Sequence, residues 1–128
     1  MKPIFQSHHP VRHAKSFKYA FSGVWHALLN EANFRVQLAI TAISIGFGIH
    51  FNITNMEWAV LTISMGMLLS AEMINTVVEN FIDTLVKEYH EGAKIIKDVS
   101  AGFVLINAAT TLIILILIFG NILAYLFI

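Results

Sequence analysis

Three stretches without charged side chains constrain this chain more than any other feature of its sequence. Residues 36–56 and 99–128 contain no Asp, Glu, Lys or Arg over 21 and 30 positions, and residues 58–71 contain none over 14. An ionised side chain in hydrocarbon is costly, so such stretches are typical of membrane helices. A helix needs ~20 apolar residues to cross a ~30 Å hydrocarbon core. The first and last stretches suffice alone, whereas the middle one spans only if it carries Glu72 into the membrane.

The overall composition supports a membrane protein and excludes several other classes. Hydrophobic residues make up 57% of the chain and charged residues 12%, whereas a soluble domain usually has ~25% charged residues. Eight basic residues balance eight acidic ones, so the basic excess of a nucleic-acid-binding protein is absent. The lack of cysteine excludes disulfide frameworks, thiolate zinc sites and cysteine nucleophiles.

The basic residues predict the topology, because loops that keep Lys and Arg are normally cytoplasmic. We expect a single membrane domain over residues 1–128, all-α, with transmembrane helices over 34–52, 57–84 and 96–120. The connection over residues 52–57 has no basic residue. The basic residues precede the first span or separate the second from the third: Lys2, Arg12, Lys15, Lys18, Arg35, Lys87, Lys94 and Lys97. The N-terminus is therefore expected in the cytoplasm and the C-terminus outside.

Residues 11–30 have the pattern of an amphipathic helix lying in the membrane interface. At 100° per residue, Phe17, Phe21, Val24 and Leu28 fall within about 60° of one another, and basic and polar residues occupy the opposite side. Such a helix turns its apolar face to acyl chains and its cationic face to headgroups. A helix packed on the protein's own spans would show the same stripe, so this alternative stays open.

The second span carries acids and an amide along one face. Glu72, Asn75, Glu79 and Asp83 are separated by 3, 4 and 4 positions, which confines them to an arc of about 80°. At ~1.5 Å per residue, Glu72 lies ~21 Å from Trp58, in the cytoplasmic half of the bilayer, and Glu79 lies ~10 Å further. A lipid hydroxyl and a soluble phosphate could both reach this face. Interhelical hydrogen bonding or a proton relay would also use intramembrane carboxylates.

The residues around this face indicate phosphoryl transfer. Glu31 ends the interfacial helix at the same membrane boundary, and basic residues follow the acids. Carboxylates that hold a hard divalent cation, beside lysines that hold phosphate oxygens, are what phosphoryl transfer needs. If helical, the basic residues share an arc of about 80°, although the positive-inside bias alone would also place them there. They are Lys87, His90, Lys94 and Lys97. Soluble nucleotide-binding motifs are missing from the sequence.

Four segments together closely resemble the signature of the prokaryotic diacylglycerol kinase family, which includes undecaprenol kinases. They are NEANFR at 30–35, EMINTVVENFID at 72–83, EYH at 88–90 and AKIIKD at 93–98. The resemblance runs in order over residues 12–107. It implies a homotrimeric kinase of the bacterial plasma membrane with sites formed between protomers. Its reaction would move the γ-phosphate of ATP, with Mg²⁺, to a membrane-dissolved alcohol.

The resemblance also implies roles for individual residues. Glu72 corresponds to the general base and Asn75 to a polar residue close to the reacting groups. Glu31 and Glu79 correspond to the metal-holding carboxylates. The nucleotide-binding positions implied in this sequence are Arg12, Tyr19, Glu31, Glu79, Glu88, Tyr89, His90, Lys97 and Asp98.

The resemblance favours undecaprenol as the lipid alcohol. The segments FKYAFSG at 17–23, EN at 79–80 and DVSAG at 98–102 look more like the Gram-positive branch, whose members favour undecaprenol. The alternative is a diacylglycerol kinase that makes phosphatidic acid. A hypothesis of another class is a non-enzymatic or proton-relay membrane module that uses the acids of the second span.

Overall fold

The described residues form a bundle of four helices. The structure is a computed structural model that describes the backbone of residues 10–126 and the side chains of residues 14–120 and of Ala124. Within the described residues every regular element is helical, which confirms the predicted all-α fold. The helices are α1 (Pro10–Asn30), α2 (Ala32–His50), α3 (Asn55–Leu85) and α4 (Glu91–Leu126).

Three of these helices are long and apolar enough to cross a membrane: Ala32–His50, Asn55–Leu85 and Glu91–Gly120. In the most apolar segments of α2 and α4, only 22% of each segment is buried inside the protein, compared with 44% in α3. Large apolar side chains such as Ile63 and Leu117 are exposed. Soluble monomers rarely expose so much apolar surface. These faces therefore contact lipid or other copies of the chain. The protein is a membrane protein, as the sequence predicted.

The turn from α2 to α3 is determined by local polar contacts. Asn52 adopts a positive φ of 50°, a conformation that asparagine tolerates better than most residues. Two residues later, Thr54 and Glu57 form a capping box at the start of α3. Thr54 Oγ1 accepts a hydrogen bond from the Glu57 amide at 3.3 Å, and the Glu57 carboxylate accepts one from the Thr54 amide at 2.7 Å. These bonds satisfy amides that have no partner within the helix.

A single residue separates α1 from α2. Glu31 has an extended backbone, with φ −101° and ψ 113°, so the chain changes direction there. Arg35, on the first turn of α2, donates from Nη1 to the carbonyl oxygens of Leu28 and Leu29 at 3.2 and 3.0 Å. These carbonyls belong to the last turn of α1 and have no intrahelical partner. Arg35 therefore ties the two helices together across the break.

α3 is the central helix and packs mainly against α4. An apolar cluster near the α2–α3 turn contains Ile53, Leu61, Met65, Ile118 and Phe119. Further along the interface, Ser64, Asn107 and Thr111 are buried. Thr111 Oγ1 donates to the Ser64 carbonyl at 3.4 Å. Small and hydroxyl side chains of this kind are typical where membrane helices approach each other closely.

The apolar stripe of α1 remains largely uncovered. Phe17 and Phe21 are 66% and 73% exposed, whereas Leu28, the last residue of the stripe, is half-buried. The stripe therefore contacts the protein's own spans only at its end, and its aromatic part is open to lipid or to another copy. The location of α1 in the membrane interface stays a prediction.

The basic residues after Asp83 do not lie on one continuous helix, which was the condition for their sharing one arc. α3 ends at Leu85 and α4 begins at Glu91, so Lys87 and His90 lie in the connection over residues 86–90. They do not share a helix face with Lys94 and Lys97. The chain leaves the helix because Val86 is extended, with φ −111° and ψ 99°. His90 Nδ1 then accepts a hydrogen bond from the Gly92 amide at 3.1 Å.

The close approach of α2 to the start of α3 depends on glycine at position 48. A Cβ at Gly48 would lie 2.7 Å from Trp58 Cη2 and 3.1 Å from Ile53 Cδ1. We expect Gly48→Ala to destabilise the protein by about 1–3 kcal/mol, the usual cost of overpacking. Gly46→Ala is the control, because its Cβ would meet nothing within 4 Å. Thermal unfolding in detergent measures both variants, and equal Tm values would contradict this packing.

Candidate active site around Glu72

Glu72 is a carboxylate buried between α2 and α3. Its side chain is 1% exposed, and Gln37 Nε2 donates to its Oε2 at 3.1 Å. The Asn33 side chain interacts with the same carboxylate. Asn33 and Gln37 are four residues apart on α2 and so lie on one face of that helix. Because a buried carboxylate without hydrogen bonds is costly, these amides allow Glu72 to remain inside the bundle.

Two further carboxylates lie beside Glu72. Glu31 and Glu79 are close enough for their charges to act on it. Glu79 accepts a hydrogen bond from Asn75 Nδ2 at 3.2 Å. Glu31 stands at the break between α1 and α2, and its side chain does not cap α2. The fold thus brings Glu31 to the acids of α3; we call Glu31, Glu72 and Glu79 the acid cluster.

Glu79 and its neighbour Asn75 offer oxygen atoms of the kind that a magnesium ion binds. Among the described residues, no group of three or more His, Asp or Glu side chains is gathered as a metal cage. Mg²⁺ in kinases does not need one, because it binds through one or two carboxylates together with substrate phosphates and water. Asn75 Oδ1 is buried and has no hydrogen-bond partner, so an unsatisfied oxygen lies next to Glu79. The carboxylates of Glu31 and Glu79 and this amide oxygen are the hard ligands that Mg²⁺ prefers.

A charged cleft of about 330 Å³ opens where α3 ends and α4 begins. It brings together five of the predicted nucleotide contacts, from the connection and from the start of α4. They are Glu88, Tyr89, His90, Lys97 and Asp98. Asp83 and Lys94 line the cleft as well. The sequence associated Glu88, Tyr89 and Asp98 with this group only through the family resemblance, since an irregular connection has no periodicity to analyse.

The cleft and the acid cluster are linked through Lys97. Its Nζ lies 2.9 Å from Asp83 Oδ1 and 3.2 Å from Oδ2, and its charge also interacts with Glu79. A second ion pair joins Lys94 to Asp98 at 3.7 Å. A negatively charged ligand in the cleft would therefore meet lysine ammonium groups beside the carboxylates.

Of the other predicted nucleotide contacts, Glu31 and Glu79 belong to the acid cluster, and Tyr19 is not part of this cleft within one chain. Tyr19 lies on α1, is 71% exposed and does not line the cleft. Arg12 also belongs to α1, and its side chain lies outside the described residues. Gln37, in contrast, contacts Glu72 and was missed by sequence reasoning. Two signals were available. Gln37 is an amide within the charge-free stretch 36–56, and it lies four residues after Asn33, on the same face of the helix.

The fold and the site define a class: an integral membrane protein with three membrane-spanning helices, a buried carboxylate at Glu72 and a charged cleft between α3 and α4. Residues 18–119 match the family model described as prokaryotic diacylglycerol kinase. The chain therefore belongs to this family, which confirms the resemblance found in its sequence. It is a membrane lipid kinase, a phosphotransferase that takes its phosphoryl group from ATP. Membership favours the kinase over the non-enzymatic alternative.

Curated relatives include kinases for two different lipid alcohols. The chain is 32% identical over 108 residues to the undecaprenol kinase of Bacillus subtilis, covering 84% of this chain and 88% of that protein. It is 35% identical over 105 residues to a diacylglycerol kinase of Synechocystis, covering 77% of this chain but 57% of that protein. The chain is 26% identical over 96 residues to the diacylglycerol kinase of Escherichia coli, covering 75% of this chain and 79% of that protein.

The hydrogen bond from Gln37 to Glu72 generates a testable expectation. Gln37→Leu removes the amide that holds the carboxylate, and we expect lipid phosphorylation to fall about tenfold, since a hydrogen bond to a charged group contributes ~1.5–3 kcal/mol. The matched control is Ser44→Ala, because this buried hydroxyl bonds only to the Ile40 carbonyl of its own helix. Both variants are assayed at saturating ATP and lipid. Equal turnover in Gln37→Leu and Ser44→Ala would contradict the role of Gln37.

Proposed function

We propose that this chain phosphorylates undecaprenol with Mg-ATP at the cytoplasmic surface of the bacterial plasma membrane. The carrying observation is Glu72, a carboxylate that is 1% exposed in an apolar bundle, with Glu31 and Glu79 beside it. A membrane protein retains such a group where it serves a reaction or a transport path. The similarity to an undecaprenol kinase over 84% of the chain supports this choice of lipid.

Glu72 acts as the general base in this proposal. The lipid hydroxyl donates its proton to the Glu72 carboxylate, which the Gln37 amide holds in place at 3.1 Å. The hydroxyl oxygen then bonds to the γ-phosphorus of ATP. The bond from that phosphorus to the bridging oxygen breaks, and ADP leaves with the electron pair. Proton removal by a positioned carboxylate contributes typically ~10²–10⁴-fold to such a step.

The remaining residues bind and orient the phosphoryl donor. Glu31, Glu79 and Asn75 Oδ1 would hold Mg²⁺, which when bound neutralises charge on the phosphate oxygens. Lys97 supplies a positive charge next to Glu79 for the transferred phosphoryl group. The nucleotide occupies the cleft lined by Glu88, Tyr89, His90 and Asp98. Kinases obtain most of their rate gain by positioning the reactants and by surrounding the transferred phosphoryl group with positive charge.

The site is completed by neighbouring copies in a homotrimer. Tyr19 is exposed and does not line its own chain's cleft, so we propose that Arg12 and Tyr19 reach the nucleotide of an adjacent protomer. The uncovered faces of α2 and α4 leave room for such contacts. In the proposed topology α1 lies in the interface over residues 11–30, and membrane spans cover 34–52, 57–84 and 96–120. The N-terminus is cytoplasmic and the C-terminus is outside.

A lipid panel tests the proposed substrate. Purified protein in mixed micelles receives Mg-ATP with either undecaprenol or a diacylglycerol at matched mole fractions, and radiolabelled product is separated by chromatography. We expect a higher kcat/KM for undecaprenol. If diacylglycerol alone is phosphorylated, the proposed substrate is wrong and the diacylglycerol kinase alternative holds.

A glutamine at position 72 tests the general base. Glu72→Gln keeps the size of the side chain but cannot accept the proton, so we expect turnover to fall by about 10²-fold or more. Glu57→Gln is the matched control, because it makes the same change on the same helix in the capping box at the other end of α3. It should cost about 1 kcal/mol of stability and keep turnover. Wild-type turnover in Glu72→Gln would contradict the assignment of Glu72 as the general base.

A further inference from the structure

Asp83 is the member of the acid face of α3 that does not join the acid cluster. Its side chain is 65% exposed and lines the cleft, where both of its carboxylate oxygens contact Lys97 Nζ. The two residues are 14 positions apart, on α3 and on α4. The contact therefore bridges two helices across the mouth of the proposed nucleotide site.

The place of Asp83 on its helix is unfavourable for stability. It lies in the last turn of α3, which ends at Leu85 and contains no basic residue. The C-terminal end of a helix carries a partial negative charge, so an acid there is repelled. Lys87 Nζ donates to the Asp83 carbonyl oxygen at 2.8 Å, which partly offsets that repulsion. An acid retained against local preference is expected where it has a functional task.

We propose that Asp83 is a positioning residue that holds the Lys97 ammonium at the junction of the cleft and the acid cluster, ready for the transferred phosphate. This inference rests on the proposed nucleotide site. A lysine side chain is a flexible four-carbon stem and needs a tether to present its charge in one place. An ammonium group has three N–H donors. Two of them face the Asp83 oxygens, and the third remains for a phosphate oxygen.

The same ion pair could instead make Asp83 a competitor of phosphate for Lys97. That role predicts the opposite change in nucleotide binding when Asp83 is neutralised. If Asp83 only competed with phosphate for Lys97, removing its charge would free the lysine and strengthen nucleotide binding. Removing a nearby negative charge would strengthen binding of an anion in any case. Weaker binding or slower transfer after neutralising Asp83 therefore distinguishes positioning from competition.

The experiment compares Asp83→Asn, which keeps the shape, with Asp83→Glu, which keeps the charge. For Asp83→Asn we expect kcat/KM for Mg-ATP to fall about tenfold or more, since small displacements of a catalytic group cost up to ~10²-fold. KM for the lipid should not change, and Asp83→Glu should recover part of the loss. Glu91→Gln is the control, because it neutralises another exposed acid at the start of α4 that does not line the cleft.

A double variant tests whether Asp83 acts through Lys97. If it does, Asp83→Asn combined with Lys97→Gln is no slower than Lys97→Gln alone, because residues that act as one unit are not additive. Additive losses, or a wild-type kcat/KM in Asp83→Asn, would overturn the proposal. Faster transfer or tighter binding in Asp83→Asn would overturn it in favour of competition.

The outcomes separate this inference from the proposed function. Wild-type protein is first assayed with undecaprenol and with a diacylglycerol, and failure with both defeats the proposed function. Binding of Mg-AMPPNP, measured by isothermal titration in detergent, then still tests Asp83, since positioning predicts weaker binding in Asp83→Asn. A wild-type enzyme that is active while Asp83→Asn is unimpaired defeats only the role of Asp83.

Discussion

The burial of one carboxylate governs the arrangement of this protein. Glu72 lies in the middle of an apolar helix pair and is almost fully removed from solvent. Such a group is tolerated only with hydrogen-bond donors around it, and α2 provides them through Gln37 and Asn33. α2 must therefore pack against α3 in the alignment that places Gln37 and Asn33 opposite Glu72. The break at Glu31 immediately precedes the part of α2 that contains Asn33 and Gln37. It adds a second carboxylate whose charge acts on Glu72.

The long central helix separates two chemical environments along its length. Its first half packs apolar side chains such as Leu61 and Met65 against α4, as expected within hydrocarbon. Its last turns carry Glu79 and Asp83 toward a cleft lined by charged residues of the connection and of α4. In the proposed function, a lipid alcohol approaches from the first environment and a nucleotide from the second. A kinase for a membrane-dissolved substrate needs both, and Glu72 stands between them.

The architecture was readable from the sequence because it depends on long-range composition. The charge-free stretches predicted three spans, and helical periodicity placed Glu72 and Glu79 on one face of α3. Other features depend on tertiary contacts that no periodicity reveals. Gln37 looks like an ordinary polar residue until α2 is packed on α3. The pairing of Asp83 with Lys97 joins two helices across the connection over residues 86–90, and helical periodicity gives no information on contacts between separate helices.

We expect α3 to pass from the hydrocarbon core into water just beyond Glu72. The chain has no cysteine, so spin labels can be attached at single cysteines that replace exposed residues of α3 and the following connection: Ile63, Ile74, Thr84 and Tyr89. Collision of each label with a water-soluble nickel chelate is measured in lipid bilayers. We expect low accessibility at positions 63 and 74 and high accessibility at 84 and 89. Equal accessibility at 74 and 84 would contradict it.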